Sequence, residues 1–458
     1  MTKEISPHIF RAYDIRGLYG KDIDPELFYK IGLSAGTYVK NNLHGKTMAV
    51  GNDIRQSSHV LVHAFISGVI ASGVNVTYTQ TTSFGQTLFS GWNLKKDLIA
   101  FVTASHLPPE WNGIKFYYGD GVGLPEDELN QIRDNTLQGK WDESDYATVG
   151  RVDIVDAKEL YKSFFDESFQ FSKKLRVAVD CGGASMTLSA PDIFTKLGLD
   201  LVRVYCNPDP LFSQRPSDPK PENLESLRNT VKKEHCDFGV AFDGDGDRAV
   251  IVDNSGRVLS ADETGIIIGK YGLDDKKGTI IANVECSKTV SEQLTPLGFS
   301  IKQIQVGHTF LTYHAKKERA LLGIESSGHL IIPKYFLFDD ALIIPLKIAE
   351  VLQDNDKSLA ELKDEIPSYP TKKVEISCGD DIKFDVMKQL KKSFTKTYEN
   401  TNTLDGVRID FPEGWVLIRA SNTSPLIRLT VEAKTQKQVD EFVEKFTKKT
   451  KEFINDSS

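Results

Sequence analysis

The sequence predicts an α/β protein in which one strand-to-loop module recurs three times, followed by a smaller α+β unit. Short apolar runs at 98–102, 238–242 and 321–324 each stop at a polar loop, as buried strands do when they feed a site at their carboxyl ends. Patterns of helical spacing stand between them, beginning with Leu27, Ile31 and Ala35 after Pro25. From about Ser368 the composition changes: a Lys-rich helical stretch around 388–396 precedes hairpin-like patterns at 407–411 and 415–418.

At 458 residues the chain is too long for a single core and suggests about three or four domains. Apolar content of 40% and charged content of 26% suit a soluble globular enzyme, and a net charge of −8 argues against a nucleic-acid backbone as partner. The cysteines (Cys181, Cys206, Cys236, Cys286, Cys378) are scattered, odd in number and without C-x-x-C spacing. That pattern speaks against a disulfide framework or a zinc site and fits reduced thiols in a cytoplasm. The first residues carry no apolar signal core, and the run 341–346 is short and broken by Pro345. Neither export nor a membrane span is expected.

The most informative stretch is 240–248, where Asp243, Asp245 and Asp247 end an apolar run with Gly244 and Gly246 between them. Like charges this close repel unless a counterion sits among them, and an all-oxygen ligand set selects a hard cation such as Mg²⁺. A calcium-binding EF-hand is excluded: counted from Asp243, Arg248 stands where that loop needs Gly and Asn254 where it needs Glu. A solvated acidic turn fits less well, because the preceding run reads as a buried strand. Arg248 adds a fork of donors, so the loop can neutralise a metal-bound phosphoryl group from two sides.

Taken in order, residues 10–17 mix aromatics and arginines ahead of Gly17. Tyr13 and Arg16 are candidate phosphate contacts there, and an N-terminal strand salt-bridged to its neighbours is an equally good account of them. At 51–58 a strand leads into serines that can cap the helix carrying Val60, Val62 and Ile66, and the stretch reads as structural. The strand at 98–102 runs straight into 103–115, where Ser105, His106, Pro108-Pro109 and Lys115 place a nucleophile, a proton carrier and a positive charge in one loop. A proline-stiffened turn is the competing account. No G-x-S-x-G elbow is present, which disfavours acyl transfer; a phosphorylated serine beside a metal loop is more economical.

The module restarts with the strand 176–180 and the turn 181–184. Residues 207–221 hold five prolines and read as an extended surface loop. The third cycle opens at 278–282, passes Gly307 and His308, and ends at 325–329, where Glu325 and His329 offer hydroxyl-binding or proton-handling groups. A lone histidine is more often core than ligand, but Gly-rich loops after strands favour function for His308 and His329. The three loops are expected to converge on one cleft. In the tail, Arg419, Ser421, Asn422 and Thr423 lie between two strands as in an anion nest, with Arg428 on the following strand. The last helix, with Val439, Phe442, Val443 and Phe446, reads as core packing.

The segments 10–17, 103–115, 243–248, 325–329 and 419–425, in that order and spacing, resemble the motifs of the α-D-phosphohexomutase superfamily, phosphomannomutase/phosphoglucomutase type, across essentially the whole chain. The resemblance implies a heart-shaped protein of three similar α/β domains with mixed sheets and a C-terminal domain that binds substrate phosphate. The expected bounds are 1–150, 151–256, 257–367 and 368–458. It implies that Ser105 carries the transferable phosphoryl group and, with Asp243, Asp245 and Asp247, holds Mg²⁺, while Arg248 binds and balances charge. It implies further that Glu325 and Ser327 grip sugar hydroxyls and that Lys115, His308 and His329 are the acid–base candidates. Arg419, Ser421, Asn422 and Thr423 would hold the non-reacting phosphate, with Tyr13 and Arg16 in support and His106 and Arg428 also in the substrate site.

The implied reaction is a reversible shift of phosphate between O1 and O6 of mannose or glucose. It runs through a hexose 1,6-bisphosphate that acts as intermediate and activator and must turn around between transfers, with a hinge near 367–370. The implied partner is a small sugar phosphate, bound by a monomer or homodimer. Leu107 departs from the family's usual Asn, Cys181-Gly182-Gly183-Ala184 from its Asn-Gly turn, and Glu285 from the lysine of many bacterial relatives. Ser421-Asn422-Thr423 is similar to the mannose/glucose group, whereas glucosamine-type mutases tend toward Ser-Gly-Thr. The alternatives are a phosphoglucosamine-type mutase, a phosphatase using Asp243 as nucleophile and Asp245 as acid, and a non-catalytic sugar-phosphate sensor. Asp247, where the phosphatase motif wants a small hydroxyl or branched residue, weighs against the second. Retention of Ser105 and all three aspartates weighs against the third.

Overall fold

The computed structural model describes residues 5–275, 277–421 and 425–457, and its strands form four sheets in chain order. The first holds β1 (Ile15–Leu18), β2 (Thr47–Asn52), β3 (Asn75–Thr81), β4 (Leu98–Val102), β5 (Trp111–Tyr118) and β6 (Val152–Ile154), ordered β1-β5-β4-β2-β3-β6. The second holds β7 (Arg176–Asp180), β8 (Asp200–Val204), β9 (Phe238–Phe242) and β10 (Ala249–Asp253), ordered β10-β9-β7-β8. The third holds β11 (Gly278–Asn283), β12 (Phe299–Ile304), β13 (Leu322–Ile324) and β14 (Leu330–Ile331), ordered β12-β11-β13-β14. The fourth, β15 (Thr371–Ser377), β16 (Thr401–Asn402), β17 (Val407–Phe411), β18 (Gly414–Ala420) and β19 (Leu426–Ala433), is antiparallel throughout. Three α/β units with mixed sheets and an α+β tail are therefore observed, as the sequence predicts. β6 pairs with β3 and so extends the first sheet past residue 150.

The first three sheets share one plan. Parallel strands form the middle, and one antiparallel hairpin lies toward an end: β4–β5, β9–β10 and β13–β14. The connections inside these hairpins are 103–110, 243–248 and 325–329, so the three chemical loops are the same turn in three copies of one module. Each starts at the carboxyl end of a buried strand, where backbone and side-chain donors of an α/β sheet converge.

Local chemistry sets the helices. Asp24 caps Pro25–Asn41 by accepting from the Leu27 N–H at 2.9 Å, with Pro25 at the first helical position. The serines at the next helix, Ser58–Ala71, do not behave as expected. Ser57 makes no capping bond, and both hydroxyls accept from Asn112 Nδ2, at 2.8 and 2.9 Å, tying the helix to the start of β5.

One continuous apolar core runs through the first three units, from Phe84 and Tyr117 through Val179 and Phe238 to Ile324 and Phe338. The last unit has its own core, built from Ile376, Leu390, Val416, Leu429 and Phe446, and the terminal helix packs into it through Val439 and Phe446 as expected. Its joint to the third unit combines a small Val284–Trp415–Leu417 contact with polar ties. Arg408, for example, donates to the Val284 and Cys286 carbonyls. Separate cores with a largely polar joint favour movement of the last unit relative to the other three. Among the described residues no helix is long and apolar enough to cross a membrane.

Candidate active site

The first two hairpin loops meet at a hydrogen bond: Ser105 Oγ donates to Asp243 Oδ2 at 3.0 Å, both residues fully buried. Gly244 makes the approach possible, since a Cβ there would lie 2.2 Å from the Ser105 carbonyl oxygen. Ser105 itself sits at φ +50°, a left-handed conformation that costs a non-glycine residue roughly 1–2 kcal/mol. Such strain persists only where surrounding bonds over-determine it, and it clusters at functional sites. His106 Nδ1 lies 3.4 Å from Ser105 Oγ; burial, with Arg248 and Arg16 nearby, pushes its imidazole down to about 2, so the ring is neutral.

Asp243, Asp245 and Asp247 each offer an oxygen within 4.8 Å of the others, and all three are buried. Burial and mutual repulsion raise the proton affinity of Asp243 and Asp245, whereas Asp247 is lowered despite burial because the Lys115 and Arg248 cations stand beside it. Lys115 Nζ reaches Asp245 at 3.0 Å and Asp247 at 2.5 Å, and these partners outweigh burial and raise its pKa. The Lys115 ammonium and the Arg248 guanidinium, 4.0 Å from Asp243 and 3.8 Å from Asp247, face three carboxylates and leave charge unbalanced. Asp245 Oδ1 and Asp247 Oδ1 are buried without a hydrogen-bond partner among the described residues. Orphaned oxygens in a compact all-carboxylate set fit a hard divalent cation.

The third loop meets the second through Arg248. Arg248 Nε donates to His329 Nε2 at 2.9 Å, and His329 Nδ1 donates to Asp339 at 2.5 Å. Asp247 and Asp339 lift the proton affinity of His329 against burial. The aim of Arg248 at Nε2 nevertheless keeps the ring neutral, with its proton on Nδ1. Glu325 Oε2 accepts from the Gly307 N–H at 2.8 Å and Oε1 from Ser327 Oγ at 2.6 Å, which joins the loop to the turn before His308. His308 packs 5.7 Å from His329 and 5.9 Å from Tyr13 by ring centroid. Burial and then Lys115 hold its pKa well below the usual value. Tyr13 donates to the Val306 carbonyl at 3.1 Å, and Arg16 pairs with Asp14 at 2.7 Å while reaching the Ala104 carbonyl at 3.5 Å, beside Ser105.

From the last unit, Arg419 points at the same strip. Its Nε donates to Glu285 at 2.9 Å and its Nη1 lies 3.5 Å from Asp405, which also accepts from the Val306 N–H. Glu285, the departure from the bacterial lysine, thus joins the third and fourth units and also meets Lys373 at 3.4 Å. Arg428 stands opposite Arg419 in the β18–β19 register, with Glu375 at 3.6 Å. The Ser421 carbonyl accepts from Lys383 at 2.8 Å. Asn422 and Thr423 lie outside the described residues. A cleft of about 630 Å³ opens beside Arg248 and Ser327, with Thr371 and Glu432 of the last unit on its wall.

Several residues that build this site were read otherwise in the sequence. The proline-rich loop 207–221 is not simply a surface segment. Arg215 and Ser217 are buried; Arg215 bonds Asp180 and the Phe242 carbonyl just before the aspartates, and Ser217 donates to the His106 and Leu107 carbonyls. Leu107 holds the serine loop through its backbone, which explains why an apolar side chain serves there. Asp53, Arg55 and Thr103 all bind the same loop, and the signal was an Asp-x-Arg directly after a buried strand. Asp339, which fixes the His329 tautomer, stands ten residues along the chain and carries no sequence mark.

Models of the phosphoglucomutase/phosphomannomutase alpha/beta/alpha domains I, II and III and of the C-terminal domain match residues 7–143, 158–256, 260–369 and 374–449. A curated "Probable phosphoglucosamine mutase" of Methanopyrus kandleri is 33% identical over 446 residues, covering 95% of this chain and 96% of its own. The phosphomannomutase/phosphoglucomutase of Pseudomonas aeruginosa is 32% identical over 438 residues, covering 94% and 93%. The crystal structure of a phosphoglucomutase/phosphomannomutase family protein from Burkholderia thailandensis superposes with a TM-score of 0.90 at 26% identity, over 98% of each chain. With four matching domains in sequence order and the hairpin loops assembled around Ser105 and the aspartates, the chain belongs to the phosphoglucomutase/phosphomannomutase family of the α-D-phosphohexomutase superfamily.

Proposed function

We propose that the protein is a phosphomannomutase/phosphoglucomutase that moves a phosphoryl group reversibly between O1 and O6 of mannose or glucose. The observation that carries this reading is the 3.0 Å bond from Ser105 Oγ to Asp243, which brings a nucleophile to a carboxylate trio able to hold a cation. In the first half-reaction a sugar hydroxyl oxygen forms a bond to the phosphorus of phosphorylated Ser105 as the Oγ–P bond breaks. The hydroxyl proton leaves to a base, and a proton returns to Ser105 Oγ. The resulting 1,6-bisphosphate turns around and gives its other phosphoryl group back to Ser105 by the reverse exchange.

Asp243, Asp245, Asp247 and Ser105 would hold Mg²⁺, which when bound supplies positive charge against the phosphoryl oxygens. Burial and nearby cations leave His308 and His106 neutral but weakly basic, and Lys115 is held charged by its aspartates. Glu325 and Ser327 face the sugar, and Arg419 binds the phosphate that does not react. Arg419→Ala is expected to raise KM about 10- to 100-fold with kcat nearly kept, because one charge-assisted contact is worth roughly 1.5–3 kcal/mol. Steady-state kinetics on the preferred hexose 1-phosphate checks it. The five free thiols suit a reducing cytoplasm.

A glucosamine-type reading is favoured by one observation, the 33% identity to the Methanopyrus protein of that name. Parallel assays on mannose 1-phosphate, glucose 1-phosphate and glucosamine 1-phosphate, primed with the matching 1,6-bisphosphates, decide between them. The proposal expects kcat/KM to be highest on a nitrogen-free hexose; a clear preference for glucosamine 1-phosphate would transfer the assignment to the second reading.

A further inference from the structure

Arg55 belongs to none of the groups placed above at the phosphate, sugar or cation, and it is fully buried. A guanidinium carries five N–H donors in a rigid fork. All of them find acceptors. Nη2 donates to the Ser105 and Leu107 carbonyls, both at 2.6 Å, and Nη1 to the Pro108 and Trp111 carbonyls at 2.6 and 3.2 Å. Nε donates to Asp53 Oδ2 at 2.9 Å, and the Phe212 ring covers the guanidinium at 4.9 Å. Asp53 is shared: it also accepts from Ser58 and from Thr103 Oγ1 at 2.8 Å, while that threonine oxygen accepts the Ser105 N–H at 2.8 Å.

The segment 105–111 is therefore wound around one cation, with Ser105 gripped on both sides of its Cα: its carbonyl by Arg55 and its N–H by Thr103. These bonds over-determine the left-handed φ of Ser105, and that conformation aims Oγ at Asp243. With no exposed surface, Arg55 is shielded from a sugar phosphate in the cleft. We infer that Arg55 is the positioning residue of the serine loop, with Asp53 and Thr103 completing the grip, and that it sets the reach of the nucleophile toward the carboxylates rather than the affinity for substrate. The kinetic part of this inference rests on the proposed phosphoserine reaction; the placement of the loop does not.

Two variants test it. Arg55→Lys keeps the charge beside Asp53 but offers three donors at one point in place of the fork. Thr103→Val keeps shape and leaves the guanidinium intact. In each, hydrogen exchange of residues 103–111 is compared with wild type, and kcat and KM are measured on the hexose phosphate that wild type turns over. Exchange in this loop is expected to quicken at least about tenfold, with 243–248 unchanged, and kcat to fall about 100-fold with KM kept, the scale of a nucleophile misplaced by about 1 Å. Unchanged loop exchange overturns the inference even if the melting temperature drops, and so does a raised KM with kcat preserved. If wild type turns over no hexose phosphate, the proposed function falls and the exchange comparison still decides the placement. If Arg55→Lys does not fold, Thr103→Val carries both readouts.

Discussion

Ser105→Ala is expected to cut bisphosphate-primed turnover by about 10⁴-fold or more, the scale of losing a covalent nucleophile, while the protein stays folded. The Oγ is one donor to a carboxylate that also accepts the Gly246 N–H at 3.0 Å, so its removal leaves Asp243 with a partner and the loop with its backbone bonds. The grip on the loop runs through the Ser105 carbonyl and N–H, which alanine retains. Stability is therefore largely preserved and the loss is chemical. The same variant separates the mutase from an aspartyl phosphatase. If Asp243 were the nucleophile, Ser105→Ala would keep hydrolytic activity and release inorganic phosphate.

Removing the divalent cation, or replacing Asp243 by Asn, is expected to lower turnover about 10³-fold, since a metal supplies several kcal/mol of charge stabilisation at a phosphoryl group. A readout independent of activity goes with it. At about 100 times its Kd, Mg²⁺ should stabilise the wild-type fold by about 2.7 kcal/mol and so raise its melting temperature, with little shift in Asp243→Asn. Without metal the order changes. Burial and the neighbouring Asp247 and Asp245 carboxylates already push Asp243 toward its protonated form, so a neutral amide relieves repulsion and should not lower the melting temperature of the metal-free protein. Equal Mg²⁺ shifts in the two proteins would remove the trio from the metal site.

The elements that set this chemistry were legible wherever a short apolar run meets a polar cluster. β4, β7 and β9 begin and end where their hydrophobic patterns do, and Ser105 and the three aspartates stand at the first turn after two of them. What stayed hidden is the support behind the first contacts. Arg55 and Arg215 satisfy carbonyls of distant loops, and no local pattern tells a buried arginine that binds backbone from an exposed one that binds water. The proline-rich segment looked solvated because prolines and polar residues usually are, yet Ser217 is drawn inward by the His106 and Leu107 carbonyls of the serine loop. Ser57 and Ser58 showed capping chemistry, but Asn112 on β5 competes for their hydroxyls. In each case a long-range hydrogen bond prevailed over a local propensity.

The central claim is that Ser105 carries the phosphoryl group handed to the sugar. Incubating the purified protein with glucose 1,6-bisphosphate, mapping the added phosphoryl group by peptide mass spectrometry and then chasing with hexose 6-phosphate measures that directly. The account predicts one phosphoryl group on the peptide containing Ser105, discharged to the sugar on the chase. A phosphoryl group on Asp243, or a Ser105 phosphate that survives the chase while turnover proceeds, would contradict it.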